Sequence, residues 1–103
     1  MDGKPNRIQT DVLKKGEATM WRAEKVTFEI VDPIKRINHR TDHNGEVWIK
    51  EVNIVSWNGK EPKVDIREWN EDHTQMKKGI TLTFAEAEAV ADALNYIVAE
   101  RSK

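Results

Sequence analysis

The 103 residues contain no cysteine, which excludes disulfides, thiolate metal ligation and a cysteine nucleophile together. Glycine and proline are scarce, at 5 and 3, so collagen-like and low-complexity architectures do not apply. Long apolar runs are missing as well. No stretch approaches the roughly 18–20 residues that span a bilayer, and Met1-Asp2-Gly3-Lys4-Pro5 does not begin a signal peptide. A cytoplasmic protein without a membrane partner is the expectation, nucleoid-associated if the source is bacterial. Positive charge is not in excess either: the formal net charge is −1, so any phosphate-binding face has to be basic locally. No Gly-rich phosphate loop, Gly-x-Ser-x-Gly or strong paired-carboxylate signature occurs, which gives catalysis no support and predicts no cofactor.

What is present describes one small soluble domain. Hydrophobic residues make up 38% and charged residues 34%, and a chain of this length buries a modest share of its surface, so a second copy is a natural way to add core. Residues 1–23 show no clean period and read as a loosely ordered extension, with a short helix conceivable from Asp11 to Lys15 and Trp21 able to dock on the domain. The domain proper is expected over 24–103.

From Val26 the pattern alternates, with Val26, Phe28 and Ile30 on one side and Thr27 and Glu29 on the other, as a half-buried strand does. Asp32-Pro33 interrupts it, Ile34 and Ile37 continue the pairing, and Asn38 to Gly45 is polar with a turn dipeptide at Asn44-Gly45. Val47 to Trp57 is rich in β-branched and aromatic residues, Asn58-Gly59 turns the chain, and Lys63 to Trp69 returns it as a hairpin. Gly79 to Leu82 gives a short fourth strand. Thr83 and Glu86 match a capping box, and Phe84, Ala87, Val90, Ala91, Leu94, Ile97 and Val98 recur at helical steps. The expectation is an α+β domain, β-β-β-β-α. A four-stranded antiparallel sheet would be covered on one face by a single long C-terminal helix, whose remaining apolar edge meets the same helix of a second chain in a homodimer.

A single helix leaves the other sheet face open. Alternation puts Val64 and Ile66 toward the helix and Lys63, Asp65, Arg67 and Trp69 on the open side, with Asn53, Val55 and Trp57 beside them. Tryptophan with Arg and Lys is the combination that stacks unpaired bases and holds phosphates, and duplex bases offer no free faces. The loop His73 to Gly79 adds Lys77 and Lys78. Plainer readings stand beside each of these: Trp57 and Trp69 as dimer-interface or edge-packing residues, Arg67 between Asp65 and Glu68 as a paired surface charge, Lys77 and Lys78 as solvated lysines. Trp48, of opposite parity to Trp57, reads as core or interface unless a bulge intervenes. His39, Asp42, His43 and Asn44 contain metal-ligating types, but their spacing fits no standard zinc arrangement, and a polar hairpin loop is the better reading.

The runs Val55-Ser56-Trp57-Asn58-Gly59-Lys60, Val64-Asp65-Ile66-Arg67-Glu68-Trp69 and Met76-Lys77-Lys78-Gly79-Ile80-Thr81-Leu82, followed by the helix, resemble the positive cofactor four family of single-stranded-DNA-binding transcriptional coactivators. The likeness is strongest to its bacterial YdbC-type branch and covers about residues 26–99. The resemblance implies a curved antiparallel sheet, a long helix, a homodimer with adjacent grooves, and binding of single-stranded DNA with little sequence preference. It also implies that Trp57 is the hairpin aromatic stacked on a base, Arg67 the strand arginine, Trp69 the second aromatic and Lys77 and Lys78 the loop lysines, with Lys60 and Lys63 joining them around the hairpin. Residues 1–23 are not the Ser- and Lys-rich tail of the eukaryotic coactivators, so phosphorylation control is not implied. The leading expectation is a non-catalytic single-stranded-DNA-binding homodimer serving transcription, replication or repair alongside proteins of those processes, with RNA open to the same platform. The competing one is a protein–protein interaction or assembly module using the same aromatics; a metal-dependent nuclease built on residues 39–44 is a distant third.

Overall fold

The structure, a computed structural model, describes residues 15–19 and 25–103. Five strands, β1 (Lys15–Thr19), β2 (Lys25–Thr41), β3 (Val47–Trp57), β4 (Lys63–Trp69) and β5 (Ile80–Leu82), precede one helix, α1 (Phe84–Arg101). The strands form a single antiparallel sheet in sequence order. The sheet-then-helix layout is the expected one, with one strand more than the four expected. The additional strand is β1, which lies in the segment read as a loose extension and pairs with the start of β2 from Lys15↔Glu29 to Thr19↔Lys25. The short helix considered for 11–15 falls outside the described residues except for Lys15, which begins β1; Trp21 lies outside them.

Asp32-Pro33 does not end the second strand. Register shifts between Ile30 and Asp32, Pro33 and Lys35, and Arg36 and Asn38 leave Val31, Ile34 and Ile37 without partners, so three bulges carry β2 on to Thr41. Each bulge bends its strand and switches which side chains face inward, which is why plain alternation stops at Ile30. Proline is tolerated here because, among the described residues, this stretch of β2 pairs only with β3 and its missing N–H falls at a bulged edge.

Both hairpin turns follow from local chemistry. Asn58 and Gly59 have φ of 53° and 75°, and Lys60 N donates to Trp57 O at 2.9 Å, the tight primed turn that Asn-Gly favours between twisted strands. Asp42 Oδ1 accepts from the backbone N of Asn44 and Glu46 at 2.9 and 3.0 Å, and its Oδ2 accepts from Trp48 Nε1 at 2.9 Å. The Asp42 carboxylate is thereby held as a turn brace.

The core lies on the side of the sheet expected to be open. Ala18, Phe28, Ile30, Val55, Trp69 and Met76 form it, with Val26 and Trp57 packed against them. Thr19 bridges to Gln75, and Met76 bridges to Trp69, with Thr19 N donating to Thr74 O at 2.8 Å and Met76 N to Thr19 O at 3.0 Å. The ring β1-β2-β3-β4-(75–76)-β1 is therefore closed, and what would be a solvated face is the interior of a small barrel-like end.

The helix does not cover the other face. Its capping box is formed as expected, Glu86 N donating to Thr83 Oγ1 at 3.1 Å and Thr83 N to Glu86 Oε1 at 2.8 Å. Yet none of its residues is buried, and it touches only β4 and β5 among the described elements. Phe84, Leu94, Ile97 and Val98 remain 51–63% exposed, while Val52, Ile54, Val64 and Ile66 are half-buried. A helix springing from the short β5 reaches the sheet only near its own start, so its apolar stripe stays open in the single chain.

Candidate nucleic-acid interface

Three of the residues singled out from the sequence converge inside the barrel end. The Trp57 and Trp69 rings are parallel, 3° apart with centroids at 6.1 Å, Phe28 packs against Trp69 at 4.8 Å, and the Arg67 guanidinium sits 4.6 Å from the Trp57 ring centre. Their accessibility differs sharply. Trp69 is 0% exposed and Arg67 6%, whereas Trp57 is half-buried at the end of β3. Placing Arg67 and Trp69 on an open face is corrected accordingly: the bulged β2 curls the sheet, and β1 with residues 74–76 closes over the concavity.

Arg67 is held by its own surroundings. Its Nε and Nη2 donate to the two oxygens of Asp65 at 2.7 and 2.8 Å, its Nη1 to Lys77 O at 3.3 Å, and Thr81 Oγ1 donates to Asp65 Oδ2 at 2.9 Å. A bidentate pair of this kind fixes both side chains in one plane. The reading of Arg67 as a paired surface charge is met in the pairing, with Asp65 as the partner, and corrected in the place, since both residues are buried. Gly79 passes so close to Arg67 that a Cβ there would collide with Arg67 Cβ and with the Ile66 carbonyl oxygen.

The four lysines occupy two places. Lys60 and Lys63 are exposed beside the Trp57 turn. Lys78 is exposed and Lys77 half-buried where Lys77 N donates to Glu68 O at 2.9 Å, about 17 Å farther along β4 at roughly 3.4 Å per residue. Lys77 Nζ lies 4.4 Å from the centre of the Trp48 ring. Trp48, 6% exposed, is on the face opposite Trp57, as its parity predicts. The structure therefore brings Lys60 and Lys63 to Trp57 and keeps Lys77 on the far side of the sheet.

Sequence patterns alone do not single out several other residues. Glu51, Asn53 and His73 form a buried cluster, His73 Nε2 and Asn53 Nδ2 each 3.0 Å from Glu51 Oε1, with Arg36 Nε 3.3 Å from Glu51 Oε2. Burial pushes the Glu51 carboxyl up, but the hydrogen bonds from His73 and Asn53 and the charges of His73 and Arg36 outweigh it and leave the group below its ordinary value. Asn58 pins the hairpin to β2, its Oδ1 accepting from Thr27 Oγ1 at 2.9 Å and its N donating to Thr27 O at 2.9 Å. The signal for an interior is present in β3, where Val52 and Ile54 on one parity and Val55 and Trp57 on the other make both faces apolar, a pattern of strands buried on both sides. Around residues 39–44, Asp42 has the bracing role described above, its carboxyl lowered by the Trp48 hydrogen bond against the opposing effect of burial. Among the described residues, no three His, Cys, Asp or Glu side chains stand together as a metal would require.

The chain is 48% identical over 52 residues to an uncharacterized protein of Treponema pallidum (strain Nichols), a stretch that is 50% of this chain and 61% of that relative. The chain thus spans about three fifths of the length of that relative. Residues 46–93 match the model of the family described as Transcriptional Coactivator p15 (PC4). The matched residues carry β3, β4, β5 and the first part of α1, and so include Trp57, Lys60, Lys63, Arg67, Trp69, Lys77 and Lys78. Across residues 46–93, this chain is similar to the family described as Transcriptional Coactivator p15 (PC4).

Proposed function

We propose that the chain binds single-stranded DNA with little sequence preference, as a non-catalytic homodimer in the cytoplasm, in the service of transcription, replication or repair. Trp57 supports this reading most directly. It is a half-buried indole at the rim packed against Trp69 and Arg67, with the exposed Lys60 and Lys63 placed to meet phosphates. A ring fixed in this way loses little freedom when a base stacks on it, and each such stacking pair is worth roughly 1–3 kcal/mol. Arg67 and Trp69 then act by positioning Trp57, and the exposed Lys78 is a further phosphate contact beyond the hairpin, whereas Lys77 is engaged with Trp48 across the sheet. The homodimer is supported by the open apolar side of α1 and by the half-buried Val52, Ile54, Val64 and Ile66, since exposed apolar surface of this kind favours a partner.

Electrophoretic mobility shift with single- and double-stranded oligonucleotides of equal length tests the binding, and sedimentation tests the assembly. A shift at lower protein concentration with the single strand, from a species twice the mass of one chain, is the expected result. Equal shifts with both forms overturn the single-strand reading, and a stable monomer at micromolar concentration overturns the homodimer.

A further inference from the structure

We propose that β1 is a removable cover over the aromatic interior, lifted when a single strand binds. The inference rests on the single-strand reading and adds its regulation.

The cover pairs along its length with β2, but it is lightly held on its other edge and in the core beneath it. Of its five residues, Lys15, Gly16 and Glu17 are exposed and only Ala18 is buried. A single methyl group thus stands among Phe28, Ile30, Val55, Trp69 and Met76, where a core strand would insert several large side chains. On the edge away from β2, two backbone hydrogen bonds join β1 to the described residues, both at Thr19. Lys15 and Glu17 are already in water and give up no burial when the strand swings out.

What lies beneath is imperfectly satisfied. Trp57 Nε1, Trp69 Nε1, Asn53 Oδ1 and His73 Nδ1 are buried with no hydrogen-bond partner among the described residues. Buried donors and acceptors are nearly always paired, and each one left alone raises the energy of the closed form. Two indole N–H donors and an amide acceptor are groups that base edges can satisfy, so lifting β1 both uncovers stacking surface and offers these atoms partners. The closed ring also accounts for the burial of Trp69 and Arg67 in a segment that matches a single-strand-binding family. β1, like β2, lies outside the matched residues 46–93. A ligand that needs the open form binds more weakly by the fraction of molecules that are open.

The test uses the full chain with Thr19→Cys and Gln75→Cys, partners in the bridge that closes the ring. Neighbouring strands run about 4.8 Å apart, within reach of a disulfide, and because the chain has no cysteine this is the one disulfide that can form within a chain. Affinity for a labelled single-stranded oligonucleotide is measured oxidised and reduced. The proposal expects the oxidised form to bind at least about tenfold more weakly, with reductant restoring the parent's affinity. In a second variant, Ala18→Asp puts a charge where the methyl group sits and is expected to bind more tightly than the parent. Equal affinity of the oxidised and reduced forms overturns the proposal, whether or not Ala18→Asp folds. Absence of binding in every form, the parent included, instead overturns the single-strand reading itself.

Discussion

The indole of Trp57 lies parallel to that of Trp69, 3° from it with the centroids 6.1 Å apart, although Trp57 ends β3 and Trp69 ends β4. In the ladder Trp69 is opposite Ile49 and Trp57 is opposite Phe28, so on a flat sheet the two rings would be far apart. The bulges in β2 and the closure through Thr19 and Met76 bring them together. One ring is interior and the other is at the rim, and substitutions should separate their roles.

Trp69→Ala is expected to destabilise the fold by about 3–5 kcal/mol, the usual consequence of emptying a large aromatic site in a core. Trp57→Ala is expected to be milder, because its ring is partly in water. Urea unfolding monitored by circular dichroism checks this, and equal destabilisation by the two substitutions would contradict the interior placement of Trp69.

Arg67→Ala leaves Asp65 buried and uncompensated, and removing one partner of a buried pair typically costs about 3–5 kcal/mol. The double variant Asp65→Ala with Arg67→Ala should be destabilised by less than the sum of the two single variants. A double-mutant cycle by urea unfolding measures this. Additive effects would mean that the two side chains are independent, against the 2.7 and 2.8 Å bonds between them.

Gly79→Ala is expected to be strongly destabilising although Gly79 is exposed, because a Cβ there has nowhere to go against Arg67 and the Ile66 carbonyl. Gly45→Ala provides the contrast, with open space around its Cβ and the milder penalty of a left-handed φ of 82°. Thermal unfolding of the two variants should show Gly79→Ala melting well below Gly45→Ala.

Acid should unfold the protein through its bound carboxylates. Glu51 and Glu68 both sit below the ordinary value of 4.5, Glu51 by its bonds to His73 and Asn53 against the cost of burial, Glu68 chiefly by its hydrogen bond to Arg40. A carboxyl whose folded pKa is depressed contributes stability that is complete above the ordinary value and disappears as pH falls through the folded one. The urea midpoint should therefore hold near neutrality and fall below about pH 4.5, with Glu51→Gln showing a shallower fall. Identical acid dependence in parent and variant would remove Glu51 from this explanation.

Much of the architecture is legible in the sequence because its signals are local. Asn58-Gly59 can only be a tight turn, Thr83 and Glu86 cap the helix as their spacing requires, and the Val64/Ile66 alternation fixes the parity of β4. What is not legible depends on pairing between distant segments. Nothing local to Ala18 shows that it fills a gap beside Trp69, and nothing local to Val31, Ile34 and Ile37 shows that they are bulges. Alternation gives the parity of β4, but β1 and residues 74–76 decide which of its faces becomes the interior. For the same reason alternation groups Trp57, Arg67 and Trp69 together while placing two of the three on an exposed face that the closed ring buries.

The central claim is that Trp57 stacks on a base while Lys60 and Lys63 hold phosphates, and the two interactions respond differently to salt. Fluorescence anisotropy of a labelled single strand, titrated at several salt concentrations with the parent, Trp57→Ala and the double variant Lys60→Ala with Lys63→Ala, reads both. Trp57→Ala is predicted to weaken binding by roughly 1–3 kcal/mol with the salt slope kept. The double lysine variant is predicted to flatten the slope of log affinity against log salt by about 0.7 for each phosphate no longer held. A Trp57→Ala variant that binds like the parent, or a double lysine variant that keeps the full slope, would contradict the claim.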